Sequence, residues 1–174
     1  MPDAASQTDI VIAGAARTPM GAFQGDLSGM AAPQLGGVAI KAALGDAGCA
    51  AEAVDEVLMG CVLPAGVGQA PARQAGFAGG LDETVPASTV NKVCGSGMKT
   101  VMMAHDLIRA GSAELVVAGG MESMTNAPYL SAATRGGARL GHAALKDHMF
   151  LDGLEDAYDS GRLMGSFAEE CASR

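Results

Sequence analysis

One cysteine stands where an apolar, strand-like run gives way to a helical pattern, within residues 90–111. Cys94 is followed there by Gly95, Ser96 and Gly97. The free N–H groups of a first helical turn would surround its thiol, and the glycines would let a substrate carbonyl approach the backbone. A helix N-terminus also stabilises a negative charge by up to about 2 kcal/mol in a partly buried site. The pattern is typical of a cysteine nucleophile for acyl transfer.

Two other interpretations of Cys94 follow from its residue type and its neighbours. A free cysteine also packs as a small buried hydrophobe, and the sequence leaves that alternative open. A phosphate-binding loop would need the pattern G-x-x-x-x-G-K-[ST]. The segment does end in Lys99-Thr100, but Met98 and Val93 stand where glycines are required, which excludes the loop.

An acyl-transfer cysteine needs a base, and the histidines do not supply an obvious one. His105 is expected to be a core histidine because it lies on an apolar helical stripe, formed by Met98, Val101, Met102 and Ile108. His142 and His148 lie in an irregular segment, with no acidic or metal-ligand spacing around them. Neither C-x-x-C nor H-x-x-x-H occurs, so we expect no metal site.

Apolar runs alternate with amphipathic runs through the first 120 residues, and these runs would position Cys94. Strands are predicted from Asp9, Val54, Ala87 and Ala113, and helices from Ala32, Gln69 and Gly97. The first helix is expected to stop at Gly48 and to bury one stripe, formed by Leu35, Val38, Ala39 and Ala42. The alternation predicts an α/β fold with a mostly parallel sheet covered by helices.

In such a sheet, functional loops lie at the carboxyl ends of the strands, which is where Cys94 and Gly119-Gly120 fall. From Met121 the sequence becomes polar, rich in glycine and only weakly periodic, like an excursion or lid. We therefore expect a core domain over residues 1–120 and the beginning of a second domain over 121–174. The last helical pattern stops after Arg174 without a cap, so we also expect a truncated chain.

The charge and the apolar pattern of the sequence disfavour two classes of protein, nucleic-acid binders and membrane-spanning proteins. The 174 residues carry a formal charge of −8, which disfavours a nucleic-acid partner. No window has the roughly 18 uninterrupted apolar residues of a membrane span. The cysteines are scattered and no secretory signal precedes them, so free thiols and a cytoplasmic location are expected for Cys49, Cys61, Cys94 and Cys171.

The segment VNKVCGSGMK resembles the acylation motif of the thiolases. Five other segments resemble thiolase segments in the family's order: AARTPMGAFQGDL, APQLGGVAIKAAL, GQAPARQA, VVAGGMESMTNAPYL and LMGSFAEECA. The Cys-Gly-Ser-Gly form is similar to that of the biosynthetic acetyl-CoA acetyltransferases. The resemblance covers essentially the whole chain and indicates the N-terminal portion of such an enzyme.

The resemblance implies a thiolase-like fold and a specific chemistry. Cys94 would accept an acetyl group as a thioester, and its backbone N–H would help to hold the thioester oxygen. A second acetyl-CoA would then attack in a Claisen condensation, giving acetoacetyl-CoA and coenzyme A, and the reverse reaction is thiolysis. Acetyl-CoA and coenzyme A would be substrate and product, with no permanently bound cofactor.

The resemblance also implies how coenzyme A is bound. The segment after Met121 would cover it, and Met164 would line the acyl pocket. The family often has histidine before that methionine, where this chain has Leu163. Coenzyme phosphates would meet Arg135, Arg139 and Arg162.

In the thiolases the activating histidine, a second acid/base cysteine and an oxyanion-hole asparagine come from a C-terminal half, which also adds a second core layer. Cys61 and Cys171 are poor substitutes for that cysteine because of their positions. We therefore expect the chain alone to be inactive or partly active, with exposed apolar surface where the second layer packs. The implied partners are a separate C-terminal half and, in the full enzyme, a second copy in a homodimer or tetramer.

Two alternatives remain open beside the acetyltransferase. The chain could be a non-catalytic half that binds coenzyme A or a partner protein. A ketoacyl synthase of fatty-acid synthesis also carries a cysteine before a helix, although the segments NKVCGSGMK and GGMESM argue against it.

Overall fold

A computed structural model describes residues 9–174 of the chain. In chain order, its main helices and strands are α1 (Ala32–Ala47), β1 (Glu56–Gly60), α2 (Pro71–Ala78), β2 (Ala87–Val90), α3 (Ser96–Arg109), β3 (Val116–Gly120), β4 (Tyr129–Leu130), β5 (Lys146–Asp147) and α4 (Met164–Ala172). Short 3₁₀ helices and one π-helix, Met149–Leu154, connect them. The predicted alternation of strand and helix is confirmed from α1 to β3.

The first three strands form a parallel sheet in the order β2-β1-β3. In register, Val57 of β1 lies opposite Ala87 of β2 and Val117 of β3. Strand β1 is therefore central, and both of its faces are covered. Because side chains alternate along a strand, Val57 and Met59 enter the core formed with α1 and α2, whereas Gly60 faces α3. The expected α/β class is confirmed.

Helix α1 has the predicted start and stop, and Gly48 ends it in the left-handed conformation with φ 64°. The buried face is a different one from the predicted stripe and consists of Ala32, Pro33, Gly36, Gly37, Ile40 and Leu44. The prediction was wrong for Val38 and Ala42, which are exposed, while Leu35 and Ala39 are half-buried. A Cβ atom on Gly37 would lie 2.5 Å from Cβ of Ala78, so the close approach to α2 requires glycine on the inner face.

The predicted inner stripe of α3 is also wrong. Ser96, Thr100 and Ala104 are the buried residues of this helix. Three of the four residues of the expected stripe are exposed, with Met98 73% exposed and Val101 and Met102 also exposed, while Ile108 is half-buried. The helix lies so close to the glycine-rich ends of β1 and β3 that only small side chains fit between them.

His105 shares this outward face and is exposed, with its Nδ1 3.3 Å from Oδ1 of Asp106. The expectation of a core histidine was therefore wrong. The helix buries its small polar and alanine positions, so a residue on the long apolar stripe faces outward.

The strand predicted from Asp9 is absent, since residues 9–21 form no regular element. Val11 and Ile12 are 74% and 80% exposed. The segment runs beside α1 instead, where the N–H of Ala15 donates to Oδ2 of Asp46 at 3.1 Å. An apolar run becomes a strand only where a neighbouring strand pairs with its backbone groups, and this segment pairs with none of β1, β2 and β3.

The chain after β3 contains little regular structure, as the polar pattern predicted. Strands β4 and β5 form a two-residue antiparallel pair, Tyr129 opposite Asp147 and Leu130 opposite Lys146. The proposed division into residues 1–120 and 121–174 stays a prediction. Over residues 9–174, no helix has both the length and the apolar character needed to cross a membrane.

Candidate active site around Cys94

Cys94 lies in the turn between β2 and α3, two residues before the first residue of the helix. Its side chain is exposed, so the alternative of a buried packing cysteine is wrong. Gly95 is the residue that precedes the helix, and its carbonyl accepts the N–H of Lys99 at 2.9 Å. The thiol-bearing residue thus stands where the unpaired N–H groups of a first helical turn collect.

Hydrogen bonds from side chains hold the turn that carries Cys94. Oδ1 of Asn91 accepts the N–H of Val93 at 2.9 Å. The hydroxyl of Ser96 accepts the N–H of Lys92 at 2.9 Å and donates to the carbonyl of Val93 at 2.5 Å. Val93 itself has a positive φ of 47°, which is rare for a β-branched residue.

An open cavity of about 1040 Å³ lies beside this turn, and Cys94 is part of its wall. Its volume is at the upper end of the usual range for small-molecule sites. The rest of the wall comes from the segment before α1, α1 itself, the first turn of α3, the carboxyl ends of β1 and β3 with the residues that follow them, and the π-helix. The apolar lining includes Met20, Phe23, Leu27, Leu35, Met121, Met124, Met149 and Leu154, and the polar lining includes Arg17, Thr18, Ser96, Glu122, Ser123 and Thr125.

Glycines bring the first turn of α3 against the sheet at this edge. A Cβ atom on Gly120 would lie 3.3 Å from Cα of Gly97, and one on Gly60 would lie 2.6 Å from Cβ of Ser96. The ends of β1 and β3 and the start of α3 therefore meet at one place. The expectation that Cys94 and the Gly119-Gly120 pair occupy the carboxyl edge of the sheet is confirmed.

Glu122, two residues after the end of β3, binds the loop after β1, and the sequence analysis did not identify it. Its carboxylate accepts the N–H groups of Val62 at 2.8 Å and Leu63 at 3.0 Å. The thiol of Cys61 also donates to it at 3.5 Å. A carboxylate two residues after an apolar strand is the available signal, because a charge near the core needs hydrogen-bonding partners.

Burial, followed by the nearby charge of Glu122, raises the pKa of the Cys61 thiol to about 12. Cys61 therefore stays protonated near neutral pH. This agrees with the expectation that it is a poor substitute for a second acid/base cysteine.

His148 is 5% exposed and has an acidic partner, contrary to the expectation from the sequence. Its Nδ1 lies 2.6 Å from Oδ2 of Asp152, four residues later. Its Nε2 accepts the N–H of Ala65 at 3.4 Å, so the proton lies on Nδ1. The i, i+4 spacing of the two residues is the available signal, but the weak periodicity of this segment predicts irregular structure rather than the π-helix that follows His148. Among the described residues that line the cavity there is no histidine.

The predicted acyl-pocket residues lie at the start of the last helix. Leu163 precedes α4 and forms an isolated bridge with Glu155. Met164 begins α4 and is half-exposed. Neither residue is in the wall of the cavity that contains Cys94, and their roles stay predictions.

The three predicted phosphate-binding arginines differ in their surroundings. Arg135 and Arg139 are exposed, in and after a 3₁₀ turn. Arg162 contacts two carboxylates, Asp159 at 3.6 Å and Glu170 at 2.7 Å. Its guanidinium carbon also lies 3.8 Å from the centre of the Phe167 ring. The roles of these arginines also stay predictions. No group of three acidic, histidine or cysteine residues placed to hold a metal occurs within residues 9–174.

Comparison with known proteins gives concordant matches. Residues 10–174 match the family described as thiolase, N-terminal domain. An acetyl-CoA acetyltransferase of Cupriavidus necator is 54% identical over 165 residues, which is 95% of this chain and 42% of that protein. Proteins of the same name from Pseudomonas aeruginosa and Saccharomyces cerevisiae are 50% and 51% identical over 166 residues, covering 95% and 94% of this chain and 42% of each relative. The chain thus spans less than half the length of these curated relatives.

Proposed function

The chain belongs to the thiolase family, through its N-terminal domain, and we propose that it supplies the nucleophile half of an acetyl-CoA acetyltransferase. The reaction condenses two acetyl-CoA molecules to acetoacetyl-CoA and coenzyme A, and it runs in reverse as thiolysis. The name of the relatives that match 95% of this chain supports this assignment.

The observation that carries the proposal is the exposed Cys94 in the wall of a large cavity, next to the N-terminus of α3. In the first step the thiolate attacks the carbonyl of acetyl-CoA. The carbon–sulfur bond to coenzyme A breaks, and coenzyme A leaves as its thiolate. The backbone N–H of Cys94 helps to hold the oxyanion, as N–H groups do in other acyl transfers. This covalent step divides the condensation into two easier steps.

The second step needs a base to remove a proton from the methyl group of the second acetyl-CoA. The resulting carbanion attacks the acetyl carbonyl on Cys94, a carbon–carbon bond forms, and the carbon–sulfur bond breaks to release the Cys94 thiolate. No histidine is among the described residues that line the cavity, and Cys61 is protonated near neutral pH. We therefore propose that the base and the second cysteine are supplied by a C-terminal half, as the family resemblance implies. The apolar outer face of α3, with Met98, Val101 and Met102 exposed, would pack against that half.

Coenzyme A would be a substrate and product rather than a resident cofactor. The segment 121–174 would cover it, with Met164 and Leu163 near the acyl end and Arg135, Arg139 and Arg162 near the phosphates. Arg162 would have to exchange at least one of its carboxylate contacts to do so. We also propose that the full enzyme is a homodimer or tetramer in the cytoplasm.

A non-catalytic half that binds coenzyme A is the second candidate. It is favoured by one observation: among the described residues that line the cavity, no histidine lies beside Cys94. The two candidates agree on binding and differ on whether Cys94 becomes acetylated.

Intact-mass analysis before and after incubation with acetyl-CoA distinguishes the acetyltransferase half from the non-catalytic half. The variant Cys94→Ser removes the proposed nucleophile, and Cys171→Ser is the matched control because Cys171 is also an exposed free thiol. We expect a gain of one acetyl group that Cys94→Ser abolishes and Cys171→Ser leaves unchanged. Acetylation that appears only when a C-terminal half of a relative is added also supports the proposal. Coenzyme A binding without acetylation under either condition would favour the non-catalytic half.

A further inference from the structure

Val93, directly before Cys94, has a φ of 47°. Glycine adopts this left-handed region readily, but a β-branched side chain there is a genuine outlier. Strained backbone of this kind persists only where the surrounding structure over-determines it, and it clusters at functional sites. The neighbours of Val93 must therefore hold it in this conformation.

Both polar groups of the Val93 backbone are bonded by neighbours in the turn. Its N–H donates to Oδ1 of Asn91 at 2.9 Å. Its carbonyl accepts the N–H of Ser96 at 3.0 Å as well as the Ser96 hydroxyl. The same hydroxyl accepts the N–H of Lys92 at 2.9 Å. Four hydrogen bonds thus fix the residues immediately before the thiol.

Ser96 also connects this turn to the sheet. The residue is 4% exposed, and a Cβ atom on Gly60, at the end of β1, would lie 2.6 Å from the Cβ of Ser96. Its hydroxyl therefore has a fixed position relative to the central strand. The side chain of Asn91 is exposed, so its bond to Val93 forms on the surface of the turn.

We infer that Asn91 and Ser96 are positioning residues that hold Val93 in the left-handed conformation and so direct the Cys94 thiol into the cavity. The inference rests on the proposed role of Cys94 as the acyl acceptor. The two residues act on Cys94 through the backbone: Ser96 also forms part of the cavity wall, but its hydroxyl is bonded within the turn. Their loss should therefore slow the attack of the thiol without weakening the binding of acetyl-CoA.

The test compares variants of the 174-residue chain. Asn91→Ala and Ser96→Ala each remove a side-chain bond to Val93. Asn91→Ser is the conservative rescue, because a serine hydroxyl can bond the N–H two residues later as asparagine does. Ser88→Ala is the matched control, since Ser88 is an exposed serine on β2 whose hydroxyl donates to Glu56.

Single-turnover acetylation of Cys94 is measured over a range of acetyl-CoA concentrations. For Asn91→Ala and Ser96→Ala we expect the maximal rate to fall roughly tenfold, the equivalent of one hydrogen bond. The acetyl-CoA concentration that gives half the maximal rate should stay unchanged. Urea titrations should show that each variant is as fully folded as the wild type under the assay conditions. The maximal rate of Asn91→Ser should lie within about threefold of the wild-type rate, and the maximal rate of Ser88→Ala should equal the wild-type rate. An unchanged rate in both alanine variants, or a higher half-saturating concentration with the maximal rate retained, would overturn the inference.

Alkylation with iodoacetamide separates this inference from the proposed function. Peptide mapping gives the ratio of labelling at Cys94 to labelling at Cys171 in the same molecule. If the wild type is acetylated neither alone nor with a C-terminal half of a relative, but both alanine variants lower this ratio at least twofold, the positioning role stands and acetyl transfer is wrong. If the wild type is acetylated and both alanine variants have its acetylation rate and its labelling ratio, the positioning role is wrong and the proposed function stands.

Discussion

Gly60 and Ser96 lie so close together that a Cβ atom on Gly60 would be 2.6 Å from the Cβ of Ser96. Gly60 is the last residue of the central strand, and Ser96 is the first residue of α3. The missing side chain lets the helix N-terminus rest directly on the end of the strand. The turn that carries Cys94 is therefore fixed relative to the sheet, and any side chain at Gly60 must displace it.

The variant Gly60→Ala is expected to lower the free energy of unfolding by about 1–3 kcal/mol, the usual cost of overpacking. It should also slow the alkylation of Cys94, because α3 must move away from the strand. Urea unfolding and peptide mapping measure the two effects. The control is Gly45→Ala, on an open and exposed position of α1 where no atom lies within 4 Å of the added Cβ. That variant should be neutral or stabilising by up to about 1 kcal/mol. Equal stabilities for the two variants would contradict the packing argument.

The four free cysteines should differ sharply in reactivity at pH 8. Cys61 is buried and its thiol has a pKa of about 12, so roughly one molecule in 10,000 carries the thiolate that reacts. We expect iodoacetamide to label Cys94 and Cys171 and to leave Cys61 unlabelled until urea unfolds the chain. Burial is the larger cause of the raised pKa, so Glu122→Gln should lower the pKa of Cys61 only in part. Rapid labelling of Cys61 in the folded protein would be inconsistent with this structure.

Asp55 should make stability depend on pH in the acid range. Its carboxylate accepts the N–H groups of Leu115 and Glu114, and these bonds lower its pKa. Its contribution is therefore present above the ordinary pKa of about 3.9 and is lost as the pH falls through the lower, folded value. Asp55→Asn should be less stable than the wild type at pH 7, and the difference in urea midpoint should shrink below about pH 4. A difference that stayed constant down to pH 3 would contradict the assignment.

His148 should contribute to stability through its two hydrogen bonds. Replacing it with alanine leaves the N–H of Ala65 and the carboxylate of Asp152 without their partner. The expected loss is about 1–3 kcal/mol in the free energy of unfolding. His142→Ala is the control, because His142 is exposed and such surface changes stay within about 0.5 kcal/mol. Nitrogen NMR of the imidazole should find the proton on Nδ1 in the folded chain, and a proton on Nε2 would contradict the bonding described.

Periodicity predicted the existence and order of the elements from α1 to β3 but misassigned the faces of two helices. The apolar spacing predicts that large apolar side chains lie on the inner face of α3, whereas the structure buries Ser96, Thr100 and Ala104 there. The reason is the close approach between α3 and the glycine-rich strand ends, which favours small residues over large ones. Counting apolar residues cannot detect such an approach, because it depends on glycines from two other strands.

The α/β alternation, the family and the position of Cys94 between a strand and a helix are all predictable from the sequence alone. These features depend on local patterns, in which glycine, apolar spacing and motif lie within a few residues of one another. Contacts between residues far apart in the chain become visible only in the folded structure. Glu122 bonds the loop after β1, His148 bonds Ala65, and the hydroxyl of Thr125 accepts the N–H of Gln24 at 2.8 Å. The walls of the cavity come from segments more than 100 residues apart, as Arg17 and Met149 illustrate. Their juxtaposition follows from packing the helices and loops onto one sheet edge, which local patterns do not encode.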